Sequence, residues 1–390
     1  MYEAFAVAAP GLEPIVASEL NQLGIAGTAS VDGGVEFNAS PRQLYAANLN
    51  LRTASRVLVR LAEFKALTFA DLERRSKRVA WETVLAKGEP VTLRVTCRKS
   101  RLYHSDAVAE RIARDLANRA GADVSASGDD GEGEANGDAS QLIVVRLDRD
   151  RCTISADSSG PHLHQRGYRT SVTQAPMRET LAAALLLASG WDRQSPVIDP
   201  FCGSGTIPIE AALLATHTAP GKNRRFRFMS WPGFDSAGWK ETLAEAVAME
   251  RRDGAGHVLG SDRSTAALRA ATENAQRARV QSLVNLEKAD ALTVKAPAAP
   301  GWIVSNPPYG VRLGDRTDSR RLMSQFGDHL REEFGGWHIA LLAPPQSEQL
   351  LGFPLETRVK TTNGGLRVHV LTGTVPLTSK ARATRRDARP

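Results

Sequence analysis

The sequence predicts an α/β protein whose C-terminal part is a mostly parallel sheet with helices on both faces, preceded by smaller α+β modules. From residue 196 onward, short apolar runs alternate with helical patterns. This alternation is typical of parallel strands joined by crossover helices. A glycine-rich turn, Gly203-Ser-Gly205, lies between the first of these runs and the next helix, as at the ligand crevice of open α/β sheets. The first 160 residues contain shorter groups of elements, which indicates separate modules.

Length and composition limit the class of protein. A chain of 390 residues corresponds to two or three domains at about 150 residues each. It has no apolar run of about 18 residues, which argues against a transmembrane helix, and its first residues lack the pattern of a secretion signal. The three cysteines are too scattered for a disulfide framework or a zinc site. We therefore expect a protein of the reducing cytoplasm, without a metal or a membrane partner. The cysteines are Cys97, Cys152 and Cys202.

The order of elements divides the chain into four parts. Residues 1–66 alternate short apolar runs with helical patterns, as in a small α/β module. Residues 67–160 form a second module, and within it residues 121–140 are acidic, rich in Gly and Ser and poor in apolar side chains. Such a composition predicts a disordered loop. Residues 161–378 form the main domain, and residues 379–390 form a basic tail.

The net charge of the chain is +7 at pH 7, and arginine is the commoner basic residue. Acidic residues are concentrated in 121–140, so the rest of the chain is more basic than the net value implies. Planar guanidinium groups suit phosphates and stack on bases, which makes a polyanion such as RNA a candidate partner. A proteome that favours arginine over lysine would give the same composition, and charge alone leaves both explanations open.

The glycine-rich turn narrows the choice of cofactor. Asp199 ends a predicted strand, and Gly203 and Gly205 let the backbone approach a ligand closely. A dinucleotide site needs a third glycine where this chain has Pro208, and the Gly-Lys-Ser/Thr of a phosphate-binding loop is absent. A carboxylate at Asp199 would repel a pyrophosphate and attract a cationic amino group. S-adenosylmethionine carries such a group together with a sulfonium, so it is the predicted cofactor.

Two further carboxylates follow the next two predicted strands. Asp262 suits the ribose hydroxyls and Asp290 suits the adenine amino group. Each carboxylate alone is a weak signal, but three at successive strand ends favour a cofactor site over a simple left-handed turn. Pro200, Cys202 and Thr206 complete the predicted turn, with Cys202 as a small residue that fits rather than a nucleophile.

A later strand runs directly into the motif Asn306-Pro307-Pro308-Tyr309. The two prolines fix φ and stiffen the bend. The Asn306 side-chain oxygen and the Pro307 carbonyl can accept both hydrogens of an amino group, which orients the nitrogen lone pair toward a methyl donor. Tyr309 can stack on the flat base that carries the amine. The motif predicts catalysis of methyl transfer to an exocyclic amine without a dedicated base; a plain β-turn with a stacked tyrosine is the alternative.

Other chemistries lack the residues that they need. Methylation at C5 of a pyrimidine requires a cysteine in the catalytic loop, and no cysteine follows Cys202. The eight histidines form no metal-binding cluster in the sequence. A dehydrogenase is disfavoured by Pro208 in place of the last glycine.

At these motifs the chain resembles the THUMP-domain RNA guanine-N2 methyltransferases, and among them the bacterial large-subunit rRNA enzymes. The likeness covers nearly the whole chain. Gly11-Leu-Glu13 resembles the family's ferredoxin-like opening, residues 99–105 resemble its THUMP segment, and residues 174–181 resemble the stretch that packs over the cofactor. The resemblance implies a Rossmann-like class I methyltransferase domain, S-adenosylmethionine as cofactor and a guanine in RNA as substrate, with rRNA favoured over tRNA. Gln174 and Asn306 accordingly join the predicted cofactor site.

Five basic residues are predicted to hold RNA phosphates without reading bases. Arg98, Lys99 and Arg101 share one loop, while Arg166 and Arg169 lie on the path between the two halves of the chain. A solvated turn is the alternative for the loop. The alternative functions are a tRNA guanine-N2 methyltransferase, a DNA adenine-N6 or protein amine methyltransferase, and a non-catalytic RNA-binding assembly factor. The oligomeric state stays open.

Overall fold

The structure is a computed structural model that describes residues 1–127, 140–169, 177–251, 258–297, 300–309 and 316–377. It divides into two compact units, each formed by several segments of the chain. The first unit comprises Met1–Ala8, Val16–Leu163 and Gly221–Glu245. The second unit comprises Ala9–Ile15, His164–Pro220 and Ala246–Pro390. Within the described ranges, no helix is long and apolar enough to cross a membrane.

The elements are numbered in chain order. The strands are β1 (Tyr2–Val7), β2 (Ala29–Val31), β3 (Gly34–Ala39), β4 (Arg56–Lys65), β5 (Val91–Arg98), β6 (Val124–Ser127), β7 (Gln141–Asp148), β8 (Arg151–Asp157), β9 (Val197–Asp199), β10 (Val258–Asp262), β11 (Val284–Lys288), β12 (Trp302–Ser305), β13 (His338–Ala343), β14 (Glu356–Asn363) and β15 (Leu366–Thr374). The helices are α1 (Glu13–Gln22), α2 (Pro41–Asn50), α3 (Phe69–Ser76), α4 (Ser105–Ala120), α5 (Glu179–Ala188), α6 (Thr206–Ala215), α7 (Ser236–Ala248), α8 (Thr265–Arg277), α9 (Arg316–Glu333) and α10 (Ser347–Leu351).

The strands of the first unit form one sheet in the order β2-β3-β1-β4-β8-β7-β5-β6. The two N-terminal modules that we expected from the sequence therefore share a sheet. They meet at β4, which pairs antiparallel with β8 along one edge and with β1 along the other. A buried ion pair between Arg56 and Asp157 crosses this junction. A long strand with two hydrogen-bonding edges joins modules that sequence patterns separate.

The predicted disordered loop is partly ordered. Val124–Ser127, inside the acidic stretch 121–140, forms β6 and pairs parallel with β5. The disorder prediction is thus wrong for these four residues, because backbone pairing at a sheet edge needs few apolar side chains. Residues 128–139 of that stretch and the basic tail, 379–390, lie outside the described residues.

The segment Gly221–Glu245 belongs to the first unit, although sequence reasoning placed it in the domain 161–378. Its aromatic side chains pack on α2, where the Phe228 ring stacks on the Tyr45 ring at 4.6 Å between centroids. The fully buried Gln141 accepts hydrogen bonds from Trp231 Nε1 at 2.9 Å and from Arg227 Nε at 3.2 Å. Aromatic burial and these polar contacts explain why the segment packs with this unit.

The strands of the second unit form a sheet in the order β11-β10-β9-β12-β13-β15-β14. The five strands from β11 to β13 are parallel, and the β15–β14 hairpin closes one edge in antiparallel fashion. The predicted mostly parallel sheet with helices on both faces is confirmed. The order of strands reverses between β9 and β12, which is the switch point where open α/β sheets bind ligands. A core cluster packs α9 against β12 and β13 through Phe326, Ile303 and Ile339, among others.

Candidate functional site

Four neighbouring parallel strands of the second unit carry the predicted site residues at their carboxyl ends. Asp199 ends β9, Asp262 ends β10, Asp290 follows β11 by two residues, and Asn306 follows β12 directly. Because β11, β10, β9 and β12 are consecutive neighbours in the sheet, these ends share one edge. Side chains from distant parts of the sequence therefore lie along a single edge of the sheet.

The glycine-rich turn between β9 and α6 uses its two glycines differently. Gly205 has φ +82°, and a Cβ there would lie 2.9 Å from Cβ of Ala271 on α8. Gly203 has φ +52°, and a Cβ there would meet nothing within 4 Å. Gly205 thus allows α6 to approach α8, whereas Gly203 leaves space open beside the turn, as a ligand that contacts backbone requires.

Asp199 is buried and anchored by its neighbours. It is 2% exposed, and Oδ1 accepts hydrogen bonds from Ser305 Oγ at 2.5 Å and from Phe201 N at 3.1 Å. Burial raises the pKa of the Asp199 carboxyl from 3.8 to about 7; the two hydrogen bonds oppose this rise, and the nearby Asp262 charge adds to it. A cation that enters the crevice would favour the ionised form of Asp199.

Asp262 supports the glycine-rich turn through its carboxylate. Its Oδ2 accepts from Gly203 N at 3.0 Å, and its Oδ1 accepts from Ser264 N at 2.8 Å. Beside it, Cys202 N donates to the Ser261 carbonyl at 2.9 Å. Burial raises the pKa of the Cys202 thiol, which keeps it protonated, as expected of a small residue that fits the turn rather than a nucleophile.

The other predicted members of the cofactor site have different exposures. Asp290 is exposed, and its Oδ1 accepts from Leu292 N at 2.9 Å. Pro200 is buried at the start of the turn, and Thr206 is buried as the first residue of α6. Gln174 lies outside the described residues.

Asn306 presents an unused hydrogen-bond acceptor. Its Oδ1 is buried, and within the described part of the chain it has no hydrogen-bond partner. The following Pro307 is buried and Pro308 is half-buried, so the backbone after β12 is stiff. Because an unpaired buried acceptor is costly, this oxygen fits a ligand that donates N–H to it.

Tyr309 departs from the predicted stacking role. Its side chain is 8% exposed, and its hydroxyl accepts a hydrogen bond from Asn363 Nδ2 at 2.7 Å at the end of β14. A ring that is covered in this way has no free face for a base. The structure gives Tyr309 the role of an anchor that fixes the Asn-Pro-Pro bend.

Arg166 and Arg169 are also placed differently from the prediction of phosphate contacts. The Arg166 side chain is 2% exposed and lies 3.5 Å from the fully buried Glu210. The Arg169 side chain is 12% exposed, lies 3.6 Å from Glu179, and donates to Thr206 Oγ1 at 2.7 Å. Both arginines neutralise buried carboxylates around α5 and α6, so the RNA role predicted for them is wrong in this structure.

Sequence reasoning missed three positioning residues. Ser305 holds Asp199, Asn274 Nδ2 donates to the Ser204 carbonyl inside the turn at 3.0 Å, and Glu210 receives Arg166 and the Tyr168 hydroxyl. Ser305 carried a usable signal, because a hydroxyl at a strand end next to a motif can reach the neighbouring strand. The partners of Asn274 and Glu210 are distant in sequence and carried none.

The arrangement fits S-adenosylmethionine. Asp199 would hold its cationic amino group, the backbone at Gly203 would contact it closely, and Asp262 and Asp290 would supply further polar contacts. No group of three or more potential metal ligands occurs in the described ranges.

Comparisons with known proteins identify the family of the chain. Residues 166–360 match a family described as an RMKL-like methyltransferase domain, and residues 3–58 match an RlmL ferredoxin-like domain. A protein of Synechocystis named putative RNA methyltransferase slr0064 is 34% identical over 93% of this chain and 94% of its own. The ribosomal RNA large subunit methyltransferase K/L of Vibrio cholerae is 34% identical over 95% of this chain, which spans only 52% of that longer protein.

A solved structure gives the same result for the fold. The crystal structure of SMU.472, a putative methyltransferase complexed with SAH, matches with a TM-score of 0.85 and 29% identity, covering 97% of this chain and 99% of that one. The predicted methyltransferase fold and its cofactor are confirmed. The chain belongs to the RMKL-like family of S-adenosylmethionine-dependent methyltransferases.

Proposed function

We propose that this protein methylates the exocyclic N2 amine of a guanine in RNA, with 23S rRNA as the substrate. The observation that carries the proposal is the buried, unpaired Oδ1 of Asn306 at the switch point of the sheet. An acceptor of this kind suits an –NH2 group, which has two hydrogens to donate. An alcohol oxygen or a carbon nucleophile would leave the acceptor with less to bind.

The catalytic groups act by holding the amine. Asn306 Oδ1 and the Pro307 carbonyl each accept one N–H, so the nitrogen lone pair is directed out of the plane of these two bonds. Two acceptors also draw electron density onto a nitrogen whose lone pair is otherwise delocalised into the base. S-adenosylmethionine, when bound, supplies an electrophilic methyl group. Once the nitrogen is alkylated, it loses one proton to water. Asn306 therefore orients the amine and does not act as a base.

RNA as the polymer is supported by the relatives. The Synechocystis protein is named a putative RNA methyltransferase, and the Vibrio cholerae protein is named for the large ribosomal RNA. This chain spans about half of the Vibrio protein, so the proposal concerns only the activity of the matching half. The THUMP character of residues 67–160 and a cytoplasmic site of action belong to the same proposal.

Contact with RNA is assigned to the loop after β5. Arg98, Lys99 and Arg101 are exposed there, and among the described residues their side chains have no carboxylate partner within 4.0 Å. Free guanidinium and ammonium groups of this kind bind phosphates and release counterions, so affinity should fall steeply with added salt. The charge reversals Arg98→Glu and Lys99→Glu should reduce that salt dependence and leave cofactor affinity unchanged.

The proposal is tested by mass spectrometry of nucleosides from purified 23S rRNA, 16S rRNA, tRNA and DNA of a deletion strain. The expected result is a loss of N2-methylguanosine from 23S rRNA alone, with restoration by the wild-type gene and not by an Asn306→Ala variant. Loss confined to tRNA would replace the rRNA assignment by the tRNA alternative. Loss of N6-methyladenine from DNA, with RNA unchanged, would overturn the proposal.

A further inference from the structure

One end of the first unit's sheet brings two basic loops together. The first loop follows β5 and leads into α4, and the second is the two-residue turn between β7 and β8. Ser100 Oγ accepts a hydrogen bond from Asp150 N at 3.0 Å, and Asp150 Oδ1 accepts from Arg101 N at 2.7 Å. Arg149 N donates to the Arg98 carbonyl at 3.2 Å. The loops are therefore tied into one surface by one backbone hydrogen bond and by the Ser100 hydroxyl and the Asp150 carboxylate.

The cations of this surface are not used in the fold. Arg98, Lys99, Arg101 and Arg149 are exposed, and within the described residues no carboxylate lies within salt-bridge distance of their side chains. Other exposed arginines of the same unit, such as Arg74, pair with a carboxylate. The carboxylate of Asp150 is occupied by the Arg101 amide.

Two of these cations also occupy unfavourable backbone positions. Lys99 has φ +47° and Arg149 has φ +50°, in the left-handed region that glycine and asparagine tolerate best. Arg149 and Asp150, the latter with φ +65°, form the two-residue turn of the β7–β8 hairpin, and such a turn requires positive φ at both positions. The left-handed φ of Lys99 lies outside that hairpin and adds to the case that this surface binds a ligand.

An exposed aromatic pair lies on the same loop. Tyr103 is 68% exposed, and its ring lies on the His104 imidazole with centroids 4.0 Å apart and planes inclined by 40°. His104 is the N-cap of α4 and makes no side-chain cap, so the first N–H groups of that helix have no side-chain acceptor from it. Asp106 is the acidic residue of that first turn. An aromatic face next to unpaired cations meets the needs of an unpaired base and its phosphates.

We propose that Tyr103 stacks on an unpaired base of the RNA while Arg98, Lys99 and Arg101 hold the adjoining phosphates. The first unit then selects a single-stranded segment, since the faces of bases in a duplex are covered by their neighbours. This inference rests on the proposed function only in naming RNA as the polymer. A duplex could use the cations but would leave the Tyr103 ring exposed to water.

The test uses the full chain and a single-stranded RNA of about 12 nucleotides with one 2-aminopurine at its centre, compared with the same strand in a duplex. The variants are Tyr103→Ala and Tyr103→Phe. The control is Val31→Ala, which shortens an exposed apolar side chain on β2. Five strands lie between β2 and β5 in the sheet. We expect wild type, Tyr103→Phe and Val31→Ala to bind the single strand and quench 2-aminopurine. Tyr103→Ala should bind roughly 5- to 150-fold more weakly and lose the quenching.

Each outcome decides the inference. Equal affinity and quenching for Tyr103→Ala and wild type would overturn it, as would a duplex that binds as tightly as the single strand and responds equally to Tyr103→Ala. Loss of affinity in Tyr103→Phe as severe as in Tyr103→Ala would also overturn it, because the ring is retained. If the binding results are as expected and nucleoside analysis finds no RNA methylation, the stacking surface stands and the proposed function fails.

Discussion

Ser305 Oγ donates a 2.5 Å hydrogen bond to Asp199 Oδ1, and this bond joins the ends of β12 and β9. Ser305 immediately precedes Asn306, and Asp199 immediately precedes the glycine-rich turn. The bond therefore couples the Asn-Pro-Pro bend to the glycine-rich turn across the switch point of the sheet. Both residues are almost fully buried, so water does not compete for the contact.

Cofactor affinity should depend on the protonation of Asp199. Its pKa of about 7 in the free protein means that the carboxyl is largely neutral below neutrality, and a cationic amino group then loses its partner. Affinity for S-adenosylmethionine should rise toward about pH 7 by up to about tenfold per pH unit and fall again as the α-amino group of the cofactor deprotonates near pH 8. Calorimetry at about pH 6 in buffers of different ionisation enthalpy should detect the release of one proton on binding.

Two variants test whether Asp199 causes this pH dependence of cofactor affinity. Asp199→Asn should bind more weakly and show no rise between about pH 6 and pH 7. Ser305→Ala removes a hydrogen bond that lowers the pKa of Asp199, so the rise should move to higher pH. A pH profile that is unchanged in Asp199→Asn would show that another group titrates.

Asn306→Ala should abolish methyl transfer while RNA remains bound. Loss of a positioned acceptor costs about 100- to 1,000-fold in rate, and the change creates no charge. Single-turnover transfer from tritiated S-adenosylmethionine gives the rate, and filter binding gives RNA affinity. The matched control is Asn285→Ala on β11, where the asparagine is exposed. Substantial activity in Asn306→Ala would remove the amine-holding role.

The two glycines of the turn should respond differently to alanine. Gly205→Ala places a Cβ 2.9 Å from Ala271 Cβ at a left-handed φ, and it should lower the free energy of unfolding by about 2–4 kcal/mol. Gly203→Ala meets no neighbour and should cost about 1 kcal/mol in stability, but it should weaken cofactor binding. Urea unfolding and calorimetry separate the two effects. Equal losses of stability would contradict the division of roles.

Arg166→Ala should destabilise the second unit rather than weaken RNA binding directly. It leaves the fully buried Glu210 without its cation, and uncompensated buried charges cost about 3–5 kcal/mol. The double variant Arg166→Met, Glu210→Leu removes both charges and should recover much of that loss, as urea unfolding at constant pH would measure. Wild-type stability in Arg166→Ala, together with a reduced salt dependence of RNA binding, would instead show that Arg166 contacts RNA phosphates.

Local sequence was enough to determine the glycine-rich turn, the Asn-Pro-Pro-Tyr bend and the alternation of strands and helices. Each of these depends on neighbouring residues: glycine permits a left-handed φ, proline stiffens a bend, and side-chain periodicity reports which face is buried. These features predict the mostly parallel sheet, the cofactor and the edge of the sheet that carries the site residues.

Tertiary structure alone decided which of the predicted site residues are accessible and which are buried. Arg166 and Tyr309 look like RNA-contacting residues in the sequence. In the structure both are buried, and they pair with Glu210 and Asn363, which lie 44 and 54 residues away in the chain. The transfer of Gly221–Glu245 to the first unit depends in the same way on Gln141, which lies 86 and 90 residues from its two donors. A hydrogen bond or ion pair between distant residues leaves no periodic trace, because its free energy is gained only once the fold has brought both partners out of water.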